Sequence, residues 1–351
     1  MQSPAYIAVA GQPGVLGAGV TNFFNFVGPL LFPGKWTHVD PGQNFVFNNG
    51  FSQPGGSPGQ LNEHNTSFTT GIDFKVTPDM LLYANVSKGF KAGSFGTISA
   101  ATTAQYVPVT QESLIDYEVG FKASLADRRV NITGAAFYYD YKNKQLRAKV
   151  VDPLFGSLDA LVNVPKSRVT GAEIQFDARP VQGLVLNIAG TYLHSEIKEF
   201  VGAVGQTSGT VNGVPVILPV NASFAGTPLP FTPKFSVTAG FDYTFHVASQ
   251  LDTFIGAQAS HQTETSGVLI PPTVTTGVAF PVTQDIYYIN ARTLVNANFG
   301  FAGTDNRWRV QFWGKNILNK YYWTNTTLDS DTIVRYTGRP REIGVTVSAK
   351  F

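Results

Sequence analysis

The chain has 351 residues, with 25 Lys+Arg against 23 Asp+Glu, so only 14% of its side chains are charged, well under the roughly 25% of an ordinary soluble domain. Its 43% hydrophobic and 13% aromatic content excludes a disordered chain, and a net charge of +2 makes no case for nucleic acid. The absence of Cys removes disulfides, thiolate metal sites and Cys nucleophiles together.

No stretch approaches the roughly 20 consecutive apolar residues of a spanning helix, which leaves an all-β chain, soluble or in a membrane. The first Lys or Arg is Lys35 and the stretch Gly11 to Gly19 is Gly-rich, so no secretory signal is read at the start; the expectation is a mature chain or part of a longer one. Residues 1–65 are irregular and rich in Gly and Pro, reading as a long loop with Gln43 to Phe47 as a candidate extra strand. From 66 to 351 the pattern is two-residue alternation. In 115–125, Ile115, Tyr117, Val119, Phe121, Ala123 and Leu125 oppose Asp116, Glu118, Gly120, Lys122 and Ser124. In 235–245, Phe235, Val237, Ala239, Phe241, Tyr243 and Phe245 oppose Ser236, Thr238, Gly240, Asp242 and Thr244.

Eleven such segments follow one another, at roughly 66–76, 80–93, 112–125, 129–144, 167–179, 183–198, 231–245, 251–264, 286–301, 307–319 and 339–351. Their connections alternate between tight turns, such as Thr77-Pro78-Asp79 and Ala126-Asp127-Arg128, and long Gly-, Pro-, Thr- and Asn-rich stretches such as 199–230. Outer-membrane barrels place short turns on the periplasmic side and long loops outside; a soluble sandwich has no reason to. Phe137-Tyr138-Tyr139 and Tyr321-Tyr322-Trp323 lie toward strand ends, where interfacial girdles belong, although aromatics favour strands in any case. Asp116 with Glu118, and Glu173 with Gln175 and Asp177, share the polar face with Lys122, Arg292, Arg307 and Arg309, and read as a hydrated mixed-charge wall.

Catalytic and metal chemistry finds no support. Gly55-Gly56-Ser57-Pro58-Gly59 spells G-x-S-x-G, but Pro follows Ser57 directly and no helix follows the loop. His38, His64, His194, His246 and His261 lack ligand spacing, and Asp329-Ser330-Asp331 reads as a solvated acidic loop. The expectation is a non-enzyme with no catalytic residue, resident metal or cofactor.

Several segments resemble, in order, the C-terminal barrel portion of a TonB-dependent outer-membrane receptor. These are SKGFKAGSF (Ser87–Phe95), QESLIDYEVGFKASL (Gln111–Leu125), FYYDYKNKQ (Phe137–Gln145), SRVTGAEIQF (Ser167–Phe176), GKNILNKYY (Gly314–Tyr322) and GRPREIGVTVSAKF (Gly338–Phe351). The resemblance implies an antiparallel transmembrane β-barrel in the outer membrane of a Gram-negative bacterium. The 11–12 strands would be about half of a 22-stranded barrel, without the plug domain that fills it and carries the TonB-engaging box. It also implies contact with outer-membrane lipid, recognition of Phe351 by the barrel-assembly machinery, TonB engagement only through a plug lacking here, and no nucleic-acid partner.

The function implied is part of a receptor that imports an iron–siderophore or another scarce nutrient, not transport-competent alone. Phe95, Tyr106, Phe155, Phe224, Tyr322 and Trp323, in the long connections, are candidate ligand contacts, or aromatics packing the loops together. A small passive outer-membrane pore or surface-binding barrel, and a soluble β-sandwich, remain as alternatives. Loop composition does not name the substrate.

Overall fold

A computed structural model describes residues 61–95, 108–152, 156–211, 213–270, 278–279, 286–305, 307–329 and 332–350. The expected strand at Gln43 to Phe47 lies outside the described residues, as do Ser57 and Phe351. In chain order the strands are β1 (Phe68–Thr77), β2 (Met80–Lys91), β3 (Glu112–Leu125), β4 (Val130–Asp152), β5 (Gly156–Ala178), β6 (Leu184–Glu199), β7 (Val201–Val211), β8 (Val214–Ser223) and β9 (Phe235–Ala248). They continue with β10 (Leu251–Gln262), β11 (Thr265–Ser266), β12 (Val278–Ala279), β13 (Tyr288–Ile289), β14 (Arg292–Gly303), β15 (Trp308–Lys315), β16 (Trp323–Asp329), β17 (Thr332–Thr337) and β18 (Glu342–Ala349).

Eleven of these form one sheet in the order β1-β2-β3-β4-β5-β6-β9-β10-β14-β15-β18, every neighbouring pair antiparallel. A sandwich would need two sheets closed face to face; among the described residues this is a single wall in which β1 and β18 each have one unpaired edge. All five tight turns lie at one end, and the chain there takes conformations that stop a strand. Ala126, Asp127 and Arg128 have φ of 53°, 53° and 63°, left-handed values that reverse the chain within four residues. Gly183 has φ +81°, and a Cβ there would collide with the Thr244 carbonyl, so only glycine fits.

Register carries the apolar residues of every strand onto one face. One row runs Phe74–Leu82–Phe121–Gly134–Ile174–Gly190–Val237. Another joins Tyr243–Ile255–Phe299–Phe312–Val345. Among the described residues nothing covers this face: Ile72 is 71% exposed, Val119 57% and Ile343 77%. Exposure of large aliphatics in an unbroken band is untenable in water and natural in hydrocarbon. Toward the loop end the band is edged by Tyr117 against Tyr138 (6.1 Å) and Tyr192 against Phe235 (5.0 Å). Toward the turn end it is edged by Tyr243 and, on another strand, Trp308. From Phe235 to Tyr243 the strand is roughly 27 Å long, which at a barrel strand's tilt of about 40° spans about 20 Å of an apolar belt about 25 Å tall.

The cluster Phe137-Tyr138-Tyr139 therefore divides between faces. Tyr138 joins the outer girdle, while Phe137 and Tyr139 stack on the inner face with centroids 4.6 Å apart. The inner face also holds Lys122 over Tyr83, Arg309 over Phe254 at 3.6 Å, and a Gln175–Asp177 hydrogen bond of 2.8 Å.

Three of the long connections expected as loops are themselves strand hairpins. β4 leaves β3 after Lys142 but stays paired with β5 from Lys144↔Val164 to Asp152↔Gly156, making a stalk that stands above the wall. β7 and β8 form a second hairpin, joined by β12, and β16 with β17 a third. The expected segment 286–301 splits, because 288–289 pairs with β11 and the wall strand starts at Arg292. The segment 307–319 ends early, at Lys315, because Asn316 turns left-handed (φ 47°) and locks the turn. Its side chain donates to the Lys320 and Arg339 carbonyls and accepts from the Lys320 N–H.

The densest apolar packing sits at the loop end, where Phe137, Val164, Val169, Ile197, Val204, Phe224, Leu229 and Leu269 join the inner wall, stalk and loops. The segment after Phe224 crosses above β9 and is pinned to β6 by Ile197 N–H to Thr227 O (2.9 Å) and Leu229 N–H to Ser195 Oγ (3.1 Å). A polar network anchors the stalk. Asn163 accepts from the Thr110 N–H (2.8 Å) and donates to the Asn143 carbonyl (2.7 Å); buried Gln145 donates to the Ala92 carbonyl (2.8 Å); Glu112 accepts from the Gln145 N–H (2.9 Å). Just before β1, Glu63 accepts from the N–H groups of Gly93 and Gln111.

Two outcomes follow from this arrangement. Val119→Arg, at mid-wall on the outer face, is expected to lower unfolding free energy from lipid vesicles by about 2–4 kcal/mol, whereas Thr191→Lys, facing inward beside Glu173, changes it by under about 1 kcal/mol; denaturant titration of tryptophan fluorescence reads both. Asn163→Ala strips the Thr110 amide of its acceptor at a cost of about 1–3 kcal/mol, so hydrogen–deuterium exchange at Thr110 should accelerate while exchange in β9 and β10 stays unchanged.

Candidate functional site

The stalk, the β7–β8 hairpin, the strap after Phe224 and the β16–β17 hairpin meet around a chamber of about 330 Å³ above the inner wall. Its apolar side is Leu146, Ala148, Ala203, Phe224, Val268 and Leu269; rings come from Phe231, Tyr287 and Tyr336. Polar groups converge from two directions. Arg147 and Lys149, two residues apart on β4, face Asp159 on β5 at 3.4 and 3.0 Å, so two cations share this carboxylate. From β16 comes Asn325, whose Oδ1 is buried without a hydrogen-bond donor.

Position and charge follow from pairing. Arg147↔Leu161 and Lys149↔Asp159 are register partners on the stalk, so strand geometry fixes the charged cluster relative to the chamber. Arg147 keeps 46% of its side chain exposed and Asp159 only 11%. Burial pushes the Tyr287 phenol above its usual value of 10.0, and the negative charge of Asp159 adds to the effect. The phenol therefore stays protonated, a hydrogen-bond donor at any physiological pH. Pro230 and Phe231 (φ 57°) turn the strap inward, held by Phe231 N–H to Ser266 O at 2.9 Å. Gly267 closes against β16, where a Cβ would strike the Thr326 backbone.

The residues singled out in the sequence take different places. Phe224 is 3% exposed, its ring tilted against Phe200 with centroids 5.2 Å apart, and forms part of the chamber wall. Tyr322 and Trp323 stand beside each other outside the chamber: the Arg292 guanidinium lies 5.1 Å from the Tyr322 ring, Arg335 lies 3.9 Å from Trp323, and Arg292 donates to the Trp323 carbonyl at 3.0 Å. Trp323 opens β16, the strand that supplies Asn325 and Thr327 to the chamber. Phe95 is half-buried, next to the Ser94–Val109 bridge, and is not among the residues lining the chamber. Tyr106 and Phe155 lie outside the described residues. Reasoning from sequence missed Arg147, Lys149, Asp159 and Tyr287. The signal was present, since Leu146-Arg147-Ala148-Lys149 and Leu158-Asp159-Ala160 continue the alternation past the membrane band. Among the described residues no group of three or more His, Asp or Glu side chains is placed to hold a metal ion.

The TonB dependent receptor-like, beta-barrel family model matches residues 34–317. Among curated relatives, the probable TonB-dependent siderophore receptor PiuA of Acinetobacter baumannii is 24% identical over 168 residues, covering 46% of this chain and 21% of that protein. The metal-pseudopaline receptor CntO of Pseudomonas aeruginosa is 31% identical over 127 residues, 36% of this chain and 16% of that protein. Of solved structures, the ferric yersiniabactin uptake receptor FyuA from Yersinia pestis superposes with a TM-score of 0.59 at 18% identity, over 81% of this chain and 37% of that one. The chain thus spans about a fifth of the length of the curated relatives it matches. With the family match covering most of its length, the chain belongs to the TonB-dependent receptor-like β-barrel family.

Proposed function

We propose that the chain supplies about half the barrel wall of a TonB-dependent outer-membrane receptor, together with extracellular hairpins that take an iron–siderophore or related metal chelate. The chamber is the observation that carries this reading. It sits at the end of the wall that the family turns outward, combines the Arg147 and Lys149 cations with the faces of Phe231, Tyr287 and Tyr336, and has an accessible guanidinium at its mouth. Metal chelates of catecholate or phenolate type are anionic and aromatic, and cations beside ring faces bind such ligands through charge and stacking together. Phe224 backs the chamber, and Tyr322 and Trp323 flank it through β16; with Phe95, Tyr106 and Phe155 they are assigned to ligand contact under this reading.

Strand direction supports the half-wall assignment. With eleven strands alternating, β1 and β18 run the same way, so they could meet only as a parallel pair, and antiparallel closure takes an odd number of additional strands. Unpaired edges cannot persist in hydrocarbon. Energised import would need a closed wall and a plug to engage TonB, so under this reading transport belongs to the complete receptor. Phe351 would serve as the mark read by the barrel-assembly machinery in a Gram-negative outer membrane.

Ligand titration tests the reading. The purified chain in detergent, followed by tryptophan fluorescence, should bind an anionic ferric catecholate complex, and Arg147→Ala should weaken that binding about tenfold, or about 1.4 kcal/mol. Binding of an uncharged ferric trihydroxamate should change little with the same substitution. Failure of every chelate to quench the fluorescence would remove the chamber as the ligand site.

A further inference from the structure

The outward face of the wall is not uniformly covered. Between β2 and β9 it holds a trough of about 780 Å³, well within the range of small-ligand sites. Its floor is small: Gly134 and Ala136 on β4, Ala172 on β5 and Gly190 on β6. Its sides are large and apolar, from Leu82, Phe121 and Ile174 toward the turn end to Tyr192 and Phe235 toward the loop end. Register explains the depression, because Ala136↔Ala172 sets two small residues side by side and, in the next row, Gly134 and Gly190 flank Ile174 without side chains of their own.

Directly above the trough the same face turns basic. On β5 the outward residues after Ala172, moving to the loop end, are Thr170, Arg168 and Lys166; on β4 they are Tyr138, Asp140 and Lys142. Arg168 lies opposite Asp140 in the register, yet its guanidinium leans back toward the membrane over the Tyr138 ring, 4.9 Å from the centroid. Its Nε is buried and, among the described residues, has no hydrogen-bond acceptor. Lys88, at the same level on β2, rests over Phe90 at 5.0 Å. Among the described residues Lys88, Lys142 and Arg168 have no carboxylate within 4.0 Å, while Lys166 reaches Glu199 only at 3.9 Å and Lys198 is taken up by Glu196. Five cations thus stand with three carboxylates, Asp140, Glu196 and Glu199, leaving an excess of positive charge at the upper border of an apolar trough.

We propose that this face binds one lipid with a net-anionic phosphate headgroup, its acyl chain laid in the Gly134–Ala136–Ala172–Gly190 trough and its phosphate held by Arg168 with Lys142 and Lys166. In an extended strand, alternate residues are separated by roughly 6.6 Å, so Arg168 stands about 13 Å above Ala172, the spacing of a headgroup over its own acyl chain. With no carboxylate within 4.0 Å among the described residues, the Arg168 guanidinium would gain a charge-assisted acceptor from a phosphate. The small floor explains why a chain would settle here rather than over the neighbouring, larger side chains. The proposal rests on the lipid-facing reading of this face and is independent of the ligand chamber, so its failure would leave the chelate titration unaffected.

Native mass spectrometry of the whole chain released from detergent tests it, with dimyristoyl phosphatidic acid, dimyristoyl phosphatidylcholine and inorganic phosphate as probes. Retention of one phosphatidic acid, about tenfold favoured over phosphatidylcholine and not displaced by excess inorganic phosphate, is expected. Arg168→Ala should abolish the preference, and Ala172→Phe, which fills the floor without touching a cation, should lower retention of the lipid itself. Lys142→Ala, an exposed change at the rim, gives a milder loss of preference should Arg168→Ala not fold. Equal retention of the two lipids, displacement by inorganic phosphate, or unchanged retention in Ala172→Phe would overturn the proposal.

Discussion

Inside hydrocarbon no water is available to a peptide group, so every N–H and C=O must find its partner in the chain itself, and a strand can do so only beside another strand. This constraint orders the whole wall. It requires eleven consecutive strands to pair with immediate neighbours, it forbids a hydrophobic core of the usual kind between them, and it sends the apolar side chains outward. Ile72, Val119 and Ile343 are exposed for the same reason that a soluble protein would bury them. Among the described residues the conventional core, around Val164, Ile197 and Val204, lies where the chain leaves the membrane band and the hairpins fold against one another.

The chamber exists because the pairing does not stop at the membrane surface. β4 and β5 continue their ladder to Asp152↔Gly156, carrying Arg147, Lys149 and Asp159 upward on a rigid two-stranded stalk rather than on a loose loop. A site built on strands holds its geometry better than one built on loops. The stalk is in turn held by side-chain amides, Gln145 and Asn163, that satisfy backbone groups at the point where β3 drops away. The same device recurs at Asn316, which ends β15 and aims the third hairpin at the chamber. Function and fold meet at these amides more than at the charged residues of the inner wall.

The wall was legible in the sequence because each strand has one wet and one oily face, and a two-residue period shows directly in residues such as Ile115 to Leu125. The number of wall strands and the positions of the tight turns followed from it. The hairpins were not legible in the same way. In 145–166 and 199–230 both faces are partly covered by other parts of the chain, so Leu146, Val164 and Val204 point toward a core while Arg147 and Lys149 line a polar chamber, and alternation no longer marks which side is lipid. Gly and Pro in those stretches, read as loop signals, mark instead the start of β5 at Gly156, the β7–β8 turn at Gly213 and the strap at Gly226 and Pro230. The aromatic candidates fell into different environments because an aromatic residue serves equally in a girdle, a core or a binding wall, and only tertiary contacts such as Phe200 with Phe224 distinguish them.

Lipid on the oily side of the wall is the claim most open to direct measurement. The chain has no native cysteine, so single cysteines at Ile174 and at its neighbour Gln175 can each carry a fluorophore in the vesicle-reconstituted protein. The account predicts strong quenching by brominated acyl chains and little by aqueous iodide at position 174, with the opposite at position 175. Equal quenching at both positions, or the reverse order, would contradict it.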